Sequence, residues 1–596
     1  MIQRTKIVCT IGPAVDSKEK ILELIDAGMN VARLNFSHGS YEKHAEVIQR
    51  LKESRVLKNK PLAIMLDTKG PEIRIGKIKN DLITLEKGQI LKVTGKDVEG
   101  DHETIPIVPG TVLGSVRHGM HILFNDGYIS CKVKETTPDY ALVEVENNGD
   151  LQTGKGVNIP NAILDLPAMT ERDIADITFG CEQDIDFIAA SFIRSAEHVI
   201  AIKKLLKDLG KPGIQVLAKI ENTEGVQNFN SILHVADGIM IARGDLGVEL
   251  PLSQVPRLQK MMIRSCYLVG KPSVTATQML ESMIHCPRPT RAEASDVANA
   301  IYDSTSAVML SGETAVGLYP IESVKVMRSI IRESEKDFDY MELFDKHTQQ
   351  VYHDVPSSVT MATVKTAYSC NAKAIFAFTK SGSTARLLSR LRPQIPIVAL
   401  TPNEGSYHQM ALNWGVHPIY DSEDYESERP AFNSISKASL EKGYVQYGDQ
   451  VVLTAGSPFG VSGTTNMMIV ENIGEVLVRG HEGYGWPVYG KVCLLLSTDE
   501  RKHYEVKDSI LVITKCDDSY IPFFKQSLGI ILENHISDEQ SEKRVLAWAR
   551  DLNIPALVRA DRAFKTLCEG QRVTLDPQHA LVCKGVLGED YQSEEF

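Results

Sequence analysis

The sequence predicts an α/β protein: a (β/α)8 barrel with an inserted small β domain, then an open-sheet α/β domain, then an extra C-terminal α/β domain. Three observations carry this expectation. Eight short apolar strands recur along the first 330 residues, amphipathic helical stretches separate them, and nearly every strand ends in polar or charged residues. Regular alternation of strand and helix describes a parallel barrel, whose reactive groups sit at the carboxyl ends of the strands, where the loops converge.

In order, the strands read KIVCTIG, NVARLNFS, LAIMLDTKG, DFIAASF, QVLAKIE, GIMIARGD, PSVTATQ and AVMLSGE, with helical stretches such as Ser17 to Gly28 and Ser195 to Gly210 between them. Their ends carry Arg33, Asn35, Ser37, Asp67, Lys69, Lys219, Glu221, Arg243, Asp245, Thr277, Ser311 and Glu313. The rhythm breaks after Gly70, where segments such as GQILKVTG and YALVEVEN alternate with the period of half-buried strands. They predict a small lid-like β domain. The barrel resumes with TERDIADITFG at Thr170 and closes with AVMLSGE and a helix near Ile321 to Lys336. From about Val351, strands AIFAFT, IPIVALT and QVVLTAG alternate with helices such as TARLLSRLR, predicting an open, mainly parallel sheet. A Gly-rich stretch from Gly480, GHEGYGWPVYG, reads as a joint. Beyond it KVCLLLS, SILVITK, LGIILEN and ALVCKG predict a fourth domain. The expected bounds are 1–70 with 170–345 for the barrel, 71–169 for the lid, 346–475 for the α/β domain and 476–596 for the last.

At 596 residues the chain exceeds a single core, consistent with several domains. The start shows no signal-peptide pattern, no apolar run approaches a bilayer's thickness, and the ten cysteines include no CxxC pair. A cytoplasmic protein with reduced thiols is expected. The net charge of −12 argues against a nucleic-acid partner, while anionic small substrates remain compatible with a local cationic or metal-bearing cleft.

Residues two apart on a strand face the same way, so Lys219 pairs with Glu221, Arg243 with Asp245 and Asp67 with Lys69. Each pair could be a surface ion pair, but their recurrence on three strands of one barrel points to function. Glu221 and Asp245 suit Mg²⁺, which takes one or two carboxylates together with water and substrate oxygens.

The segments MNVARLNFSHG, LDTKGPEIR, KIENTEG, GIMIARGDLGVELP, ATQMLESM, PTRAEASDVANA and MLSGETA occur in the order of the pyruvate kinase motif set, and residues 1 to 475 resemble that family. The resemblance implies phosphoryl transfer from phosphoenolpyruvate to ADP with Mg²⁺ or Mn²⁺ and K⁺. It implies that Lys219 and Arg33 contact the phosphate and that backbone groups of Ala242, Arg243 and Gly244 hold the substrate carboxylate. By the same resemblance Asp245 contributes to that substrate site, and Thr277 and Ser311 are similar to family residues of a hydroxyl and water relay that protonates the enolate. Lys69 and Arg74 would then face the phosphate entrance, Arg74 being implied only by the resemblance. The resemblance further implies that Asn35, Ser37, Asp67 and Thr68 form a potassium site, with Glu72 the acidic variant that accompanies potassium dependence. Asn35, His38, Arg74 and Lys155 are the implied nucleotide contacts.

Two departures stand out. FNDG has Asn125 before Asp126 where the family usually has two Asp, leaving nucleotide preference open. YDSTSAVMLSGE has Ser304 and Ser306 where Gly and Asp are common, read here as packing changes.

In the α/β domain, Thr379, Lys380, Ser381, Gly382, Ser383 and Thr384 lie between a strand and a helix, offering hydroxyls and amides to an anion. The alternative is helix capping by Ser383 or Thr384. The resemblance implies a phosphorylated effector there, with GVSGTTN at Gly460 to Asn466 as another part of the site, and a homotetramer.

The last domain resembles the mobile phosphohistidine domain of phosphoenolpyruvate-utilising enzymes through VYGKVCLL, DSILVITK and ARDLNIPALV. Its aligned region reads ENHISDEQSEKR in place of GGxTSH, so His535 is expected to lack flanking glycines and hydroxyls. Two rival readings are a phosphohistidine-type dikinase, disfavoured by the missing motif, and a catalytically silent paralogue with a regulatory or scaffolding role. Retention of Lys219, Glu221, Asp245 and Thr277 argues against silence.

Overall fold

The computed structural model describes residues 3–348, 354–459 and 463–585. Two compact units form: 1–365 with 375–435 and 454–468, and 366–374 with 436–453 and 469–596.

In the first unit, strands Lys6–Thr10, Val31–Asn35, Ala63–Asp67, Phe187–Ala190, Gln215–Ile220, Gly238–Ala242, Ser273–Ala276 and Ala307–Leu310 close into one parallel barrel. The strands are buried on both faces because alternate residues serve two cores. Ile7, Cys9, Ile64, Leu66, Val216 and Ala218 pack outward under the helices, whereas Val8, Val31, Met65, Phe187, Leu217 and Met240 fill the interior. Continuing the interior set by steps of two reaches Thr10, Arg33, Asp67, Ser191 and Lys219, the layer at the mouth. Sequence punctuation fixes the helices. Ser17 accepts from Lys20 N at the start of Lys18–Ala27, and Gly28, at φ 135°, ends that helix. Thr170 and Asp173 make a reciprocal capping box before Glu171–Glu182, where the barrel resumes.

Between Asp67 and Thr170 the inserted segment closes a barrel of its own from seven short strands. Its strands alternate in burial, as Tyr140–Val145 shows, around a core that includes Ile73, Leu91, Ile105, Phe124 and Val143. A five-stranded sheet follows in the order Val416–Tyr420, Ile397–Thr401, Ala374–Phe378, Gln450–Gly456, Thr465–Asn472, with the first three strands parallel.

The second unit contains an eight-stranded sheet in the order Val476–Arg479, Leu581–Lys584, Arg572–Asp576, Val488–Leu494, Ser509–Ile513, Gly529–Leu532, Ala556–Val558, Glu482–Tyr484. This corrects the reading of GHEGYGWPVYG as a joint: two of its segments are strands of the sheet. Its glycines serve close packing. A Cβ on Gly480 would lie 2.3 Å from Leu557, on Gly483 2.3 Å from the Pro577 carbonyl oxygen, and on Gly490 3.0 Å from Leu528. Among the described residues no helix is long and apolar enough to cross a membrane.

Candidate active site

The mouth layer forms one hydrogen-bonded network. Asp67, at the end of its strand, accepts from Arg33 Nε at 2.6 Å on one carboxylate oxygen and from Lys219 Nζ at 2.9 Å on the other. Arg33 Nη1 donates to Thr10 Oγ1 at 2.9 Å. Lys219 Nζ also donates to Ser191 Oγ at 2.7 Å and pairs with Glu221 Oε1 at 3.1 Å. Arg33, Asp67, Ser191, Lys219 and Glu221 are all buried.

Burial alone would neutralise these groups, but their partners decide otherwise. Burial opposes the Lys219 charge, and Asp67 with Glu221 outweighs it, so its pKa rises and the ammonium stays charged. Burial likewise opposes the Asp67 anion, and Arg33 with Lys219 reverses the effect and lowers its pKa. For Glu221 and Asp245 burial wins: both carboxyls are pushed up, Lys219 only partly compensates, and their mutual repulsion adds to the shift of Glu221. Two buried carboxylates short of positive charge fit a divalent cation. Among the described residues no group of three or more His, Cys, Asp or Glu forms a complete cage. Mg²⁺ needs none, because it retains waters and substrate oxygens.

The expected cation–carboxylate pairing on three strands is corrected on two. The strand of Asp67 ends there, and its carboxylate is taken by Arg33 and Lys219, not Lys69. Arg243 and Asp245 lie in the first turn of helix Arg243–Glu249, where period two does not apply. Arg243 Nη1 pairs with Asp296 at 2.7 Å and its Nη2 donates to the Thr277 carbonyl at 2.8 Å. Its side chain therefore fastens the loop after Ser273–Ala276.

That loop is strained. Thr277 and Gln278 stand at φ 66° and 54°, and a β-branched residue there costs about 1–3 kcal/mol. Gly244 N donates to Thr277 Oγ1 at 2.8 Å, and Thr277 Oγ1 donates to the Ala276 carbonyl at 2.6 Å. Thr277 is thus joined to the Ala242–Gly244 turn. Fully buried Glu313 ties two loops together by accepting from Leu280 N at 3.0 Å and Ser311 N at 2.7 Å.

Asn35 and Asp67 are register partners on adjacent strands, and Ser37 N donates to Asn35 Oδ1 at 3.1 Å. Thr68 Oγ1 accepts from Ser191 N at 3.1 Å. The four oxygen-bearing residues therefore share one rim. His38 is exposed on the same rim. Arg74 and Lys155 belong to neighbouring lid segments: Arg74 ion-pairs with Glu72, and its Nη1 donates to the Gly154 carbonyl at 2.7 Å. Asn158 of the lid donates to Glu249 Oε1 of the barrel at 2.9 Å.

Sequence reasoning missed Ser191 and Thr10. Counting two residues on from interior Ala189 and Val8 finds both. It also missed the Phe192 amide, which donates to Glu221 Oε2 at 2.6 Å.

In the α/β domain the loop before helix Ser383–Arg390 lines a cavity with Thr379, Lys380, Ser383, Thr384, Phe459 and Thr464. The N-cap is Gly382, at φ 74°, with no side-chain cap bond, so Ser383 and Thr384 are not spent on capping. Lys380 pairs with Asp424 at 2.7 Å, and Thr384 Oγ1 meets Thr465 Oγ1 at 2.7 Å. Gly460, Val461 and Ser462 of GVSGTTN lie outside the described residues. In the last sheet, Ser537 Oγ is 2.8 Å from His535 Nδ1 and Ser537 N donates to it at 3.2 Å. The residues adjoining His535 are Asn534 and Ile536, as expected, so the hydroxyl reaches the ring from two positions downstream.

Residues 2–324 match the family described as pyruvate kinase, barrel domain, and 357–471 match pyruvate kinase, alpha/beta domain. Residues 505–580 match PEP-utilising enzyme, mobile domain. Pyruvate kinases of Staphylococcus aureus strains USA300 and bovine RF122 are each 42% identical over 590 residues, covering 98% of this chain and 99% of theirs. A crystal structure of a pyruvate kinase from Cryptosporidium parvum is similar with a TM-score of 0.76 and 37% identity, over 79% of this chain and 96% of that one. With barrel, α/β domain and near full-length likeness in agreement, the chain belongs to the pyruvate kinase family.

Proposed function

We propose that the Lys219, Arg33, Glu221 and Asp245 network performs the phosphotransferase chemistry of this family, moving the phosphoryl group of phosphoenolpyruvate to ADP to give pyruvate and ATP in glycolysis. The observation that carries the assignment is the charged ammonium of Lys219 held at 2.9 Å from Asp67 and 3.1 Å from Glu221 at the barrel mouth. Phosphoryl transfer is mainly positioning and neutralisation of charge on equatorial oxygens. Lys219 and Arg33 supply fixed cations on one side. Glu221 and Asp245 would hold Mg²⁺ or Mn²⁺ on the other, where the bound ion supplies Lewis-acid stabilisation of phosphate and enolate oxygens. The Ala242–Gly244 turn holds the substrate carboxylate by backbone N–H groups. Thr277 and Ser311 position the water-linked proton delivered to the enolate carbon. A coupled assay of the purified protein tests the whole assignment.

Asn35, Ser37, Asp67 and Thr68 would hold K⁺, with Glu72 leaving room for its charge. Glu72→Lys should weaken the dependence of activity on potassium at fixed ionic strength. Full wild-type activity with tetramethylammonium as the only counter-cation would remove the K⁺ assignment. The ADP contacts are Asn35, His38, Arg74 and Lys155.

The loop Thr379, Lys380, Ser381, Gly382, Ser383 and Thr384, four of whose residues line the cavity, is read as an effector site for a phosphorylated ligand, supported by the absence of a side-chain cap bond at its helix. Such a ligand should lower the phosphoenolpyruvate concentration for half-maximal rate, and Ser383→Ala with Thr384→Ala should blunt the response. A panel of sugar phosphates and nucleotides without effect on the wild-type curve would refute it.

The division 1–70 with 170–345, 71–169, 346–475 and 476–596, a cytoplasmic location and a homotetramer complete the reading; light scattering measures the last. The 476–596 domain is taken as a structural or regulatory appendage, because ENHISDEQSEKR lacks the motif that presents a phosphorylated imidazole. Incubation with labelled phosphoenolpyruvate should leave no acid-labile, base-stable phosphate on His535, and finding one would reverse the assignment.

A further inference from the structure

Arg392 is 2% exposed, yet no carboxylate pairs with it among the described residues. Its Nη1 donates to the Ser389 carbonyl at 2.8 Å and to Ser389 Oγ at 3.2 Å. Its Nη2 donates to the Ser304 carbonyl and to Ser306 Oγ, both at 3.0 Å. The Nε is buried with no hydrogen-bond partner. The rings of Trp414 and Tyr267 lie 4.9 and 5.9 Å from the guanidinium carbon. Every one of these partners is neutral.

The same small cavity is lined by three more cations, Lys271, Arg386 and Arg390, and by no Asp or Glu. Lys271 Nζ spends its hydrogen bonds on the Leu233 and His234 carbonyls, and Arg386 Nη1 donates to the Ser381 carbonyl. Burial pushes the Arg392 pKa down to about 9, with only Tyr267 and Cys266 opposing, and lowers those of Lys271 and Arg386 as well, where the Asp237 carboxylate opposes it. A guanidinium does not shed its proton at neutral pH, so Arg392 cannot relieve itself by neutralisation. Burying a cation without an opposite charge costs several kcal/mol. The two serines read as packing changes in the sequence both touch this group: Ser304, at φ 71°, through its carbonyl, and Ser306 through its hydroxyl, at the position where the resembled motif has Asp.

We propose that the cavity beside Arg392, Lys271 and Ser306 is a site for one small monovalent anion, of the halide class, that serves as counter-ion to Arg392. Its volume of about 10 Å³ lies at the threshold for a single water-sized particle, which rules out phosphate esters and nucleotides and limits any anion to a monatomic one seated against the four cations. The site is separate from the barrel mouth and from the cavity at Thr379 to Thr384.

Two measurements test this. Crystals of the wild-type protein soaked in bromide should show an anomalous peak within the cavity. In thermal unfolding, exchanging gluconate for chloride at matched ionic strength and potassium should raise the first transition by about 3 °C. Ser306→Asp, which builds a carboxylate where Arg392 now meets a hydroxyl, should abolish that difference. Absence of the bromide peak, which is read on the wild type whether or not the variant folds, would overturn the proposal. So would an equal chloride response in wild type and Ser306→Asp, which would mark a general salt effect.

Discussion

Lys219→Met is expected to lower kcat by on the order of 10³ while phosphoenolpyruvate affinity changes little. Methionine keeps much of the side-chain volume but removes the charge that steadies the migrating phosphoryl group. Arg33 remains, still held by Asp67 at 2.6 Å, and preserves binding. The variant also leaves buried Glu221 without its neighbouring ammonium, 3.1 Å away in the wild type, so stability should fall by about 3 kcal/mol. Turnover, calorimetric affinity and denaturant unfolding of the same preparation separate these effects. Near-normal turnover in folded protein would rule out the role assigned to Lys219.

Asp245→Asn separates function from stability in the opposite sense. Burial and the neighbouring acids, Asp126 and Asp67, disfavour the Asp245 anion, so an isosteric neutral amide relieves a cost in metal-free protein. The variant should therefore unfold at the same temperature as wild type or higher without divalent ions. Its kcat/KM should fall by on the order of 10³, and half-activation should need more Mg²⁺. A variant that is destabilised without metal yet saturates at the wild-type Mg²⁺ concentration would show that Asp245 serves the fold instead of the ion.

Most of the barrel was legible because its strands obey a single period. Val31 and Arg33, or Leu217 and Lys219, lie on one face, so an apolar interior fixes which polar residues crown it. The limit of that rule is the strand's end. Arg243 begins a helix, and what its side chain reaches depends on Asp296, 53 positions on, a tertiary fact with no local signature. Ser191 was within reach of the same counting but carries no charge to draw notice. The glycines of GHEGYGWPVYG illustrate a second ambiguity, since composition does not distinguish a hinge from a close approach of backbones. Ser537 was overlooked because the comparison was with a motif, whereas the hydroxyl reaches His535 from two residues downstream. Ser306 could be seen as a departure, but its consequence required the placement of Arg392.

The most direct test of the central claim is formation of pyruvate by the purified protein supplied with phosphoenolpyruvate, ADP, Mg²⁺ and K⁺, followed through a lactate dehydrogenase couple. Turnover that requires all four, and is lost in Lys219→Met, is the predicted result. Folded wild-type protein that forms no pyruvate under these conditions, with or without sugar phosphates, would contradict the account and favour a catalytically silent paralogue.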